Sequence, residues 1–172
     1  MKQYIEPFSH ATEIGKALEK SILLTTKRGD EVNTMTIGWG FLGIMWGKPM
    51  FMALVRESRY TKQFLDENGE FTINVPLGTD EKEILAYCGT RSGRDVDKIK
   101  DMKLTLEEPD VISVPGIREF PLTLECRTVY KQGMEEAGIP QSVLDRHYPV
   151  KTIKRDIHTL YYGEILSSYI IS

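Results

Sequence analysis

No apolar run in the chain approaches the roughly 20 residues that a membrane-spanning helix needs. The opening MKQYIEPFSH lacks the continuous apolar centre of a signal peptide. A cytoplasmic protein with no membrane partner is therefore expected. Cysteine is scarce. Cys88 and Cys126 are too few for a disulfide framework or a zinc site, and two buried free thiols are the expected outcome. His10, His147 and His158 are too scattered for a histidine-based metal site, so no metal is expected. Basic charge is not in excess: 22 Lys and Arg stand against 25 Asp and Glu, a net charge of -3. A general nucleic-acid binder would show a basic face, so that class is set aside, although a local basic pocket stays open. Paired carboxylates and a triad order are lacking too. The glycines of GWGFLG do not join a strand to a helix N-terminus, so they are no dinucleotide fingerprint.

What is there suits one domain over residues 1–172, long enough to bury a real core. Residues 9–20 read as a short helix capped by Ser9 or Thr12, and 21–26 as a strand. A turn at Gly29-Asp30 leads into a returning strand over 32–41. GIMWGKP (43–49) reads as a loop or irregular edge. MFMALV (50–55) reads as a strand buried on both sides. Ser58 is expected to cap a helix over 58–68, stopped by Asn68-Gly69. EFTINV (70–75) is a strand. Asp80 and Glu83 suggest a capping box for a helix over 80–89. TRSGR (90–94) is a polar loop and 95–102 a short helix. Strands are expected near 103–108 and 111–114. In 121–130, Leu122, Leu124 and Cys126 alternate with Thr123, Glu125 and Arg127. Residues 135–149 form an insertion with one helical turn, and a last strand covers 156–171. Many modest strands joined by hairpins, with few helices, point to an antiparallel barrel with peripheral helices.

Asn33 to Thr61 concentrates unusual residues: both tryptophans, four of the seven methionines, and Arg56 and Arg59. Met35 to Trp39 lie on a strand. Arg56 ends another, and Ser58, Arg59, Tyr60 and Thr61 open a helix. Arginine, hydroxyls and a helix start together make an anion site, and the aromatic strand beside it offers a shelf for a flat ring. Each residue also has an ordinary reading: Trp39, Trp46 and the methionines as core or interface, the arginines as solvated surface, Ser58 as a cap.

NTMTIGW (33–39), VRESRYT (55–61), FTINVP (71–76), CGTRSGRDVDK (88–98) and HTLYYGEI (158–165) occur in this order over most of the chain. Together they resemble the flavin reductase-like, FMN-binding split-barrel family, in particular its flavoredoxin-type branch. The resemblance implies a mainly β fold: a six-stranded antiparallel Greek-key split barrel with flanking helices, assembled as a homodimer with FMN near the subunit interface. It places Asn33, Met35, Thr36 and Ile37 along the flavin, with Trp39 near the ring. Arg56, Ser58, Tyr60 and Thr61 fall at the phosphate, and Ser92, Gly93 and Arg94 in a loop that approaches the cofactor. His158 falls on the final strand as the candidate catalytic residue. The insertion departs from the family pattern.

The implied chemistry belongs to the flavin, which the protein binds, orients and tunes. Three activities stay open. One is an NAD(P)H-dependent flavin reductase, with NADH or NADPH as donor and a small-molecule acceptor. Another is a flavoredoxin-like electron carrier with tightly bound FMN and a redox protein partner. The third is a non-redox flavin-binding module. Cys88 precedes the SGR loop, but no activating base stands near it in sequence, so a buried helix thiol is its ordinary reading.

Overall fold

The computed structural model describes residues 1–150 and 153–172. Alternation of side chains builds its frame. β2 (Ile22–Arg28) and β3 (Glu31–Ile37) form a hairpin in which Arg28 pairs with Glu31 across Gly29-Asp30. Gly29 has φ 55°, the positive value that the first position of a type II′ turn requires. In β2, Ile22 and Leu24 enter the main core while Leu23 points to a second cluster with Ile84, Cys88, Leu104, Ile117 and Phe120. β6 (Glu70–Val75), β9 (Leu122–Gly133), β10 (His158–Ile171) and β5 (Lys48–Arg56) continue the sheet, and β4 (Gly40–Met45) ends it. The order is β3-β2-β6-β9-β10-β5-β4, every pair antiparallel. The sheet curls until β3 comes back against β5.

The mainly β, antiparallel expectation holds, but the main sheet has eight strands, not six. One addition is β1 (Lys2–Tyr4), a short edge strand on β10. The other is β4. Residues 43–49 are no loop: β4 turns through Trp46 (φ 54°) and Gly47 (φ 71°) directly into β5. Two successive positive φ values make the tight, strongly twisted turn that hairpins favour. Pro49 is tolerated because pairing with β10 begins only at Met50.

β5 also differs from expectation. Phe51, Ala53 and Val55 are in the core, whereas Met52 and Leu54 are half-buried on the other face. β9 follows its alternation: Leu122, Leu124 and Cys126 face the core. On the other face, the buried Glu125 accepts hydrogen bonds from the N–H groups of Asp110 and Val111 (2.8 and 2.9 Å). That grip fixes 108–114 as an irregular crossing instead of the expected strand at 111–114. The short strands of this region are β7 (Leu106–Glu107) and β8 (Gly116–Ile117).

Helices pack outside the sheet: α1 (Ala11–Lys20), α2 (Tyr60–Asn68), α3 (Lys82–Thr90), α4 (Lys98–Asp101) and α5 (Gln141–His147). Gly69 at φ 75° terminates α2, its N–H donating to the Leu65 carbonyl. None of the three expected side-chain caps forms: His10, not Ser9 or Thr12, holds the N-cap position of α1, and the Ser9 hydroxyl donates to the Glu6 carbonyl. Arg59 holds the N-cap position of α2 while Ser58 bonds elsewhere, and Asp80 pairs with Lys82 instead of capping α3. In the insertion, a 3-10 turn at Glu136–Gly138 precedes α5, which has two turns instead of one. No helix of the described residues is long and apolar enough to cross a membrane.

Candidate functional site

The return of β3 against β5 leaves a cleft at the open seam of the sheet. It measures about 160 Å³ and is lined by Met35, Thr36, Ile37, Gly38 and Trp39 on one side, with Leu54, Arg56, Arg59 and His158 on the other. Met35 and Ile37 belong to the main core as well. Thr36 is fixed by donating its hydroxyl to the Leu85 carbonyl at 2.6 Å. The Trp39 indole is 40% exposed, so a large apolar face stays open beside the cleft. It is held edge-on by His147 and Tyr148 and tilted against His158 (centroids 5.3, 6.3 and 5.0 Å apart).

His158 opens β10 directly opposite Arg56 of β5. It is 7% exposed and lies 2.7 Å from the Tyr148 hydroxyl at Nδ1. Burial above all, then the charge of Arg56, lowers its pKa to about 4; Asp156 pulls the other way, and Arg59 adds the least. Around pH 7 the imidazole is therefore neutral. In the tautomer in which Nδ1 accepts from Tyr148, Nε2 carries the proton. Arg56 donates to the carbonyls of Asp156 and His147 (2.8 and 2.9 Å) and lies over the Tyr148 ring. Its guanidinium thus anchors the insertion.

A second group forms the frame behind the cleft. Asn33 donates to the buried Thr61 hydroxyl at 2.8 Å. The Tyr60 hydroxyl donates to Glu31 and accepts from Arg28. The SGR loop closes onto them. Gly93 sits so near Asn33 and Tyr60 that a Cβ there would lie 2.2 Å from Asn33 Oδ1. The Ser92 hydroxyl accepts from the Arg94 N–H, and Arg94 stacks over the Tyr60 ring and donates to the Ser58 carbonyl at 3.2 Å. Of the expected site residues, Met35, Thr36, Ile37, Trp39, Arg56 and His158 therefore line the cleft at the seam, whereas Asn33, Gly93 and Arg94 line a separate cleft and Tyr60, Thr61 and Ser92 line neither.

Ser58 is the junction. Its N–H donates to Asp156 Oδ1 (2.9 Å) and its hydroxyl to Oδ2 (2.6 Å), so both oxygens of one carboxylate are held at the start of α2. A broader cleft of about 890 Å³ opens here, lined by Arg56, Glu57, Ser58, Arg59, Arg146, His147, Pro149, Lys154, Arg155 and Asp156. Arg56 and Arg59 line both clefts. The start of α2 thus grips an oxyanion, beside a narrow slot walled by Trp39 and Leu54.

Lys98 lies behind the seam; it closes the CGTRSGRDVDK stretch but is not among the expected site residues. It is 5% exposed and donates to the carbonyls of Thr34 and Cys88 (2.9 and 2.8 Å), tying β3 to the end of α3. Burial lowers its pKa to about 8. The Cys88 thiol is buried and pushed up to about 11 by desolvation, so it is a poor nucleophile. Leu54 and Asp156 carry no local signal. Arg59 stood in the recognised stretch but reads as solvated by itself.

Residues 19–172 match the family model described as the flavin reductase like domain. The chain belongs to this family. It is 30% identical over 137 residues to an uncharacterized protein of Archaeoglobus fulgidus, covering 80% of this chain and 64% of that one. It spans 60–64% of the length of the curated relatives it matches. Flavoredoxin from Methanosarcina acetivorans superposes with a TM-score of 0.65 at 28% identity, over 88% of this chain and 68% of that one. An FMN-binding domain of a flavin reductase-like enzyme from Shewanella baltica gives 0.65 at 16% identity, over 99% and 77%. The curled sheet is the split barrel of these flavin reductase-like proteins.

Proposed function

We propose that the chain binds FMN along the seam between β3 and β5 and acts as an NAD(P)H-dependent flavin reductase-like oxidoreductase in the cytoplasm. The observation that carries this reading is the carboxylate held by the Ser58 N–H and hydroxyl. It is a stand-in oxyanion that marks where a phosphate would be gripped, next to a slot with an open indole. The donor set fits the group: two Ser58 donors and Arg59 for a phosphate, Trp39 and Leu54 for a flat ring. Bound FMN supplies hydride and electron transfer. The residues of the chain bind and orient it. Thr36 keeps β3 rigid through Leu85, the SGR loop braces the start of α2, and the neutral His158 offers one ring N–H beside the slot. Two free buried thiols suit a reducing compartment. The likeness to a flavoredoxin favours a second reading, an electron carrier reduced by a protein partner.

The visible spectrum of protein purified without added flavin, followed by anaerobic titration with NADH and NADPH, tests both. Oxidation of the nicotinamide with flavin turnover supports the reductase. A flavin that nicotinamide leaves oxidised and a redox protein reduces supports the carrier. Colourless protein that takes up no FMN overturns the reading.

We further propose a homodimer. Phe41, Ile44 and Trp46, each more than 60% exposed, lie on or just beyond the edge strand β4. Large exposed apolar side chains along an unpaired edge strand mark an interaction surface. Light scattering is expected to give twice the 19.7 kDa chain mass. A Trp46→Ser variant is expected to shift toward monomer, and a monomeric native protein would refute the assembly.

A further inference from the structure

We propose that Asp156 is a built-in competitor for the flavin phosphate: its carboxylate closes the anion site at Ser58 and must swing away before a phosphate enters. This rests on the flavin-binding reading. Both Ser58 donors are bound to the carboxylate, one to each oxygen, so an incoming phosphate finds neither free. The site is reachable, because Ser58 is exposed and Asp156 only half-buried at the wall of the broad cleft. The other carboxylate there does not compete, since Glu57 is engaged by the Thr159 hydroxyl and Lys62.

The latch is a side chain, not a moving segment. The backbone around Asp156 is held in place: the Asp156 carbonyl accepts from the Arg56 guanidinium, and the Glu57 N–H continues the β5–β10 ladder by donating to the Ile157 carbonyl at 3.0 Å. Release therefore needs a new rotamer of Asp156 with this backbone in place. Arg59, Arg146 and Lys154 line the same cleft and can receive either the freed carboxylate or the phosphate. The device sets a threshold. If the site is open a tenth of the time, the apparent affinity for a phosphate-bearing flavin falls tenfold, while a flavin without phosphate is unaffected.

The test compares FMN with riboflavin on the native chain, Asp156→Ala and Asp156→Asn, by flavin fluorescence titration with a thermal melt of each. Asn keeps the shape and an acceptor for Ser58 but removes the charge, so it covers the case in which Ala perturbs folding. Both variants are expected to bind FMN at least tenfold more tightly than the native chain, with riboflavin affinity unchanged. Inorganic phosphate, used without flavin, is expected to raise the melting temperature of the variants more than that of the native chain. FMN affinity unchanged or weakened in both variants overturns the latch and makes Asp156 a plain structural tie. Failure of all three proteins to bind either flavin overturns the flavin reading itself, and the latch with it.

Discussion

Gly93→Ala is expected to lower the melting temperature by several degrees and to weaken FMN binding about tenfold. The added Cβ would stand 2.2 Å from Asn33 Oδ1, 3.0 Å from its Cγ and 2.9 Å from Tyr60 Cδ1. None of these neighbours is free to yield. Asn33 is buried and donates to the buried Thr61. The Tyr60 ring is packed edge-on against Phe64 and covered by Arg94, and its hydroxyl is shared by Arg28 and Glu31. The loop must therefore lift, and Arg94 leaves both the Tyr60 ring and the Ser58 carbonyl. Overpacking of this kind costs about 1–3 kcal/mol, and each kcal/mol shifts the midpoint by about 2–4 °C in a chain of this size. The lost affinity follows because the lifted loop no longer braces the start of α2. Gly138→Ala is the control, since a Cβ there meets nothing within 4 Å. A thermal melt and an FMN titration check the pair. An unchanged melting temperature for Gly93→Ala would show that the SGR loop is not wedged on Asn33 and Tyr60.

The contrast between what the sequence disclosed and what it hid follows the range of the interactions. The β2–β3 hairpin, the stop of α2 at Gly69 and the inward face of β9 are written in neighbouring residues: a glycine in a turn, a glycine after a helix, an alternation of period two. They were legible for that reason. β4 was not, because its turn puts Trp46 at a positive φ, a conformation that propensity assigns to glycine or asparagine. Its glycines and Pro49 read as punctuation until the pairing with β5 is known. β1 has three residues and exists only by virtue of β10.

The site divides in the same way. VRESRYT showed an anion site because arginine, hydroxyl and helix start are adjacent. Its actual partner is a carboxylate 98 residues further on, and no local pattern links the two. That distance is also why Ser58 read as a cap: nothing nearby announces a stronger acceptor. Lys98 looked like one more charge on a short helix. Only the fold shows that it satisfies two buried carbonyls 64 and 10 residues away. Leu54 looked doubly buried in an apolar run, and the open seam beside β5 turns it into a wall of the cleft.

The low pKa of His158 makes stability depend on pH in a defined window. Burial, then Arg56, hold the folded imidazole near 4, against an ordinary value of 6.5. Between these values the unfolded chain binds a proton that the folded chain refuses, so stability rises with pH there. The contribution is complete above pH 6.5 and is lost as pH falls from 6.5 through 4. Its slope approaches 1.4 kcal/mol per pH unit, for a total of about 3 kcal/mol. His158 is 7% exposed, so solvent screens little of this. The main acidic competitor lies lower. Burial raises the Asp66 carboxyl, but hydrogen bonds from Lys62, Lys131 and Tyr161 outweigh it and bring it down to about 2. Its stabilisation is therefore lost below the His158 window. His158→Gln keeps a side-chain acceptor within reach of the Tyr148 hydroxyl and removes the titration. Urea unfolding of both proteins at intervals from pH 4 to 7 is expected to give a steep native profile and a variant profile flatter by about 3 kcal/mol over that span. Parallel profiles would mean that His158 takes up its proton in the folded chain at its ordinary pKa. The desolvation inferred beside Trp39 would then be wrong, and the imidazole facing the slot, still mostly neutral at pH 7, would gain its second ring N–H as pH falls through about 6.5.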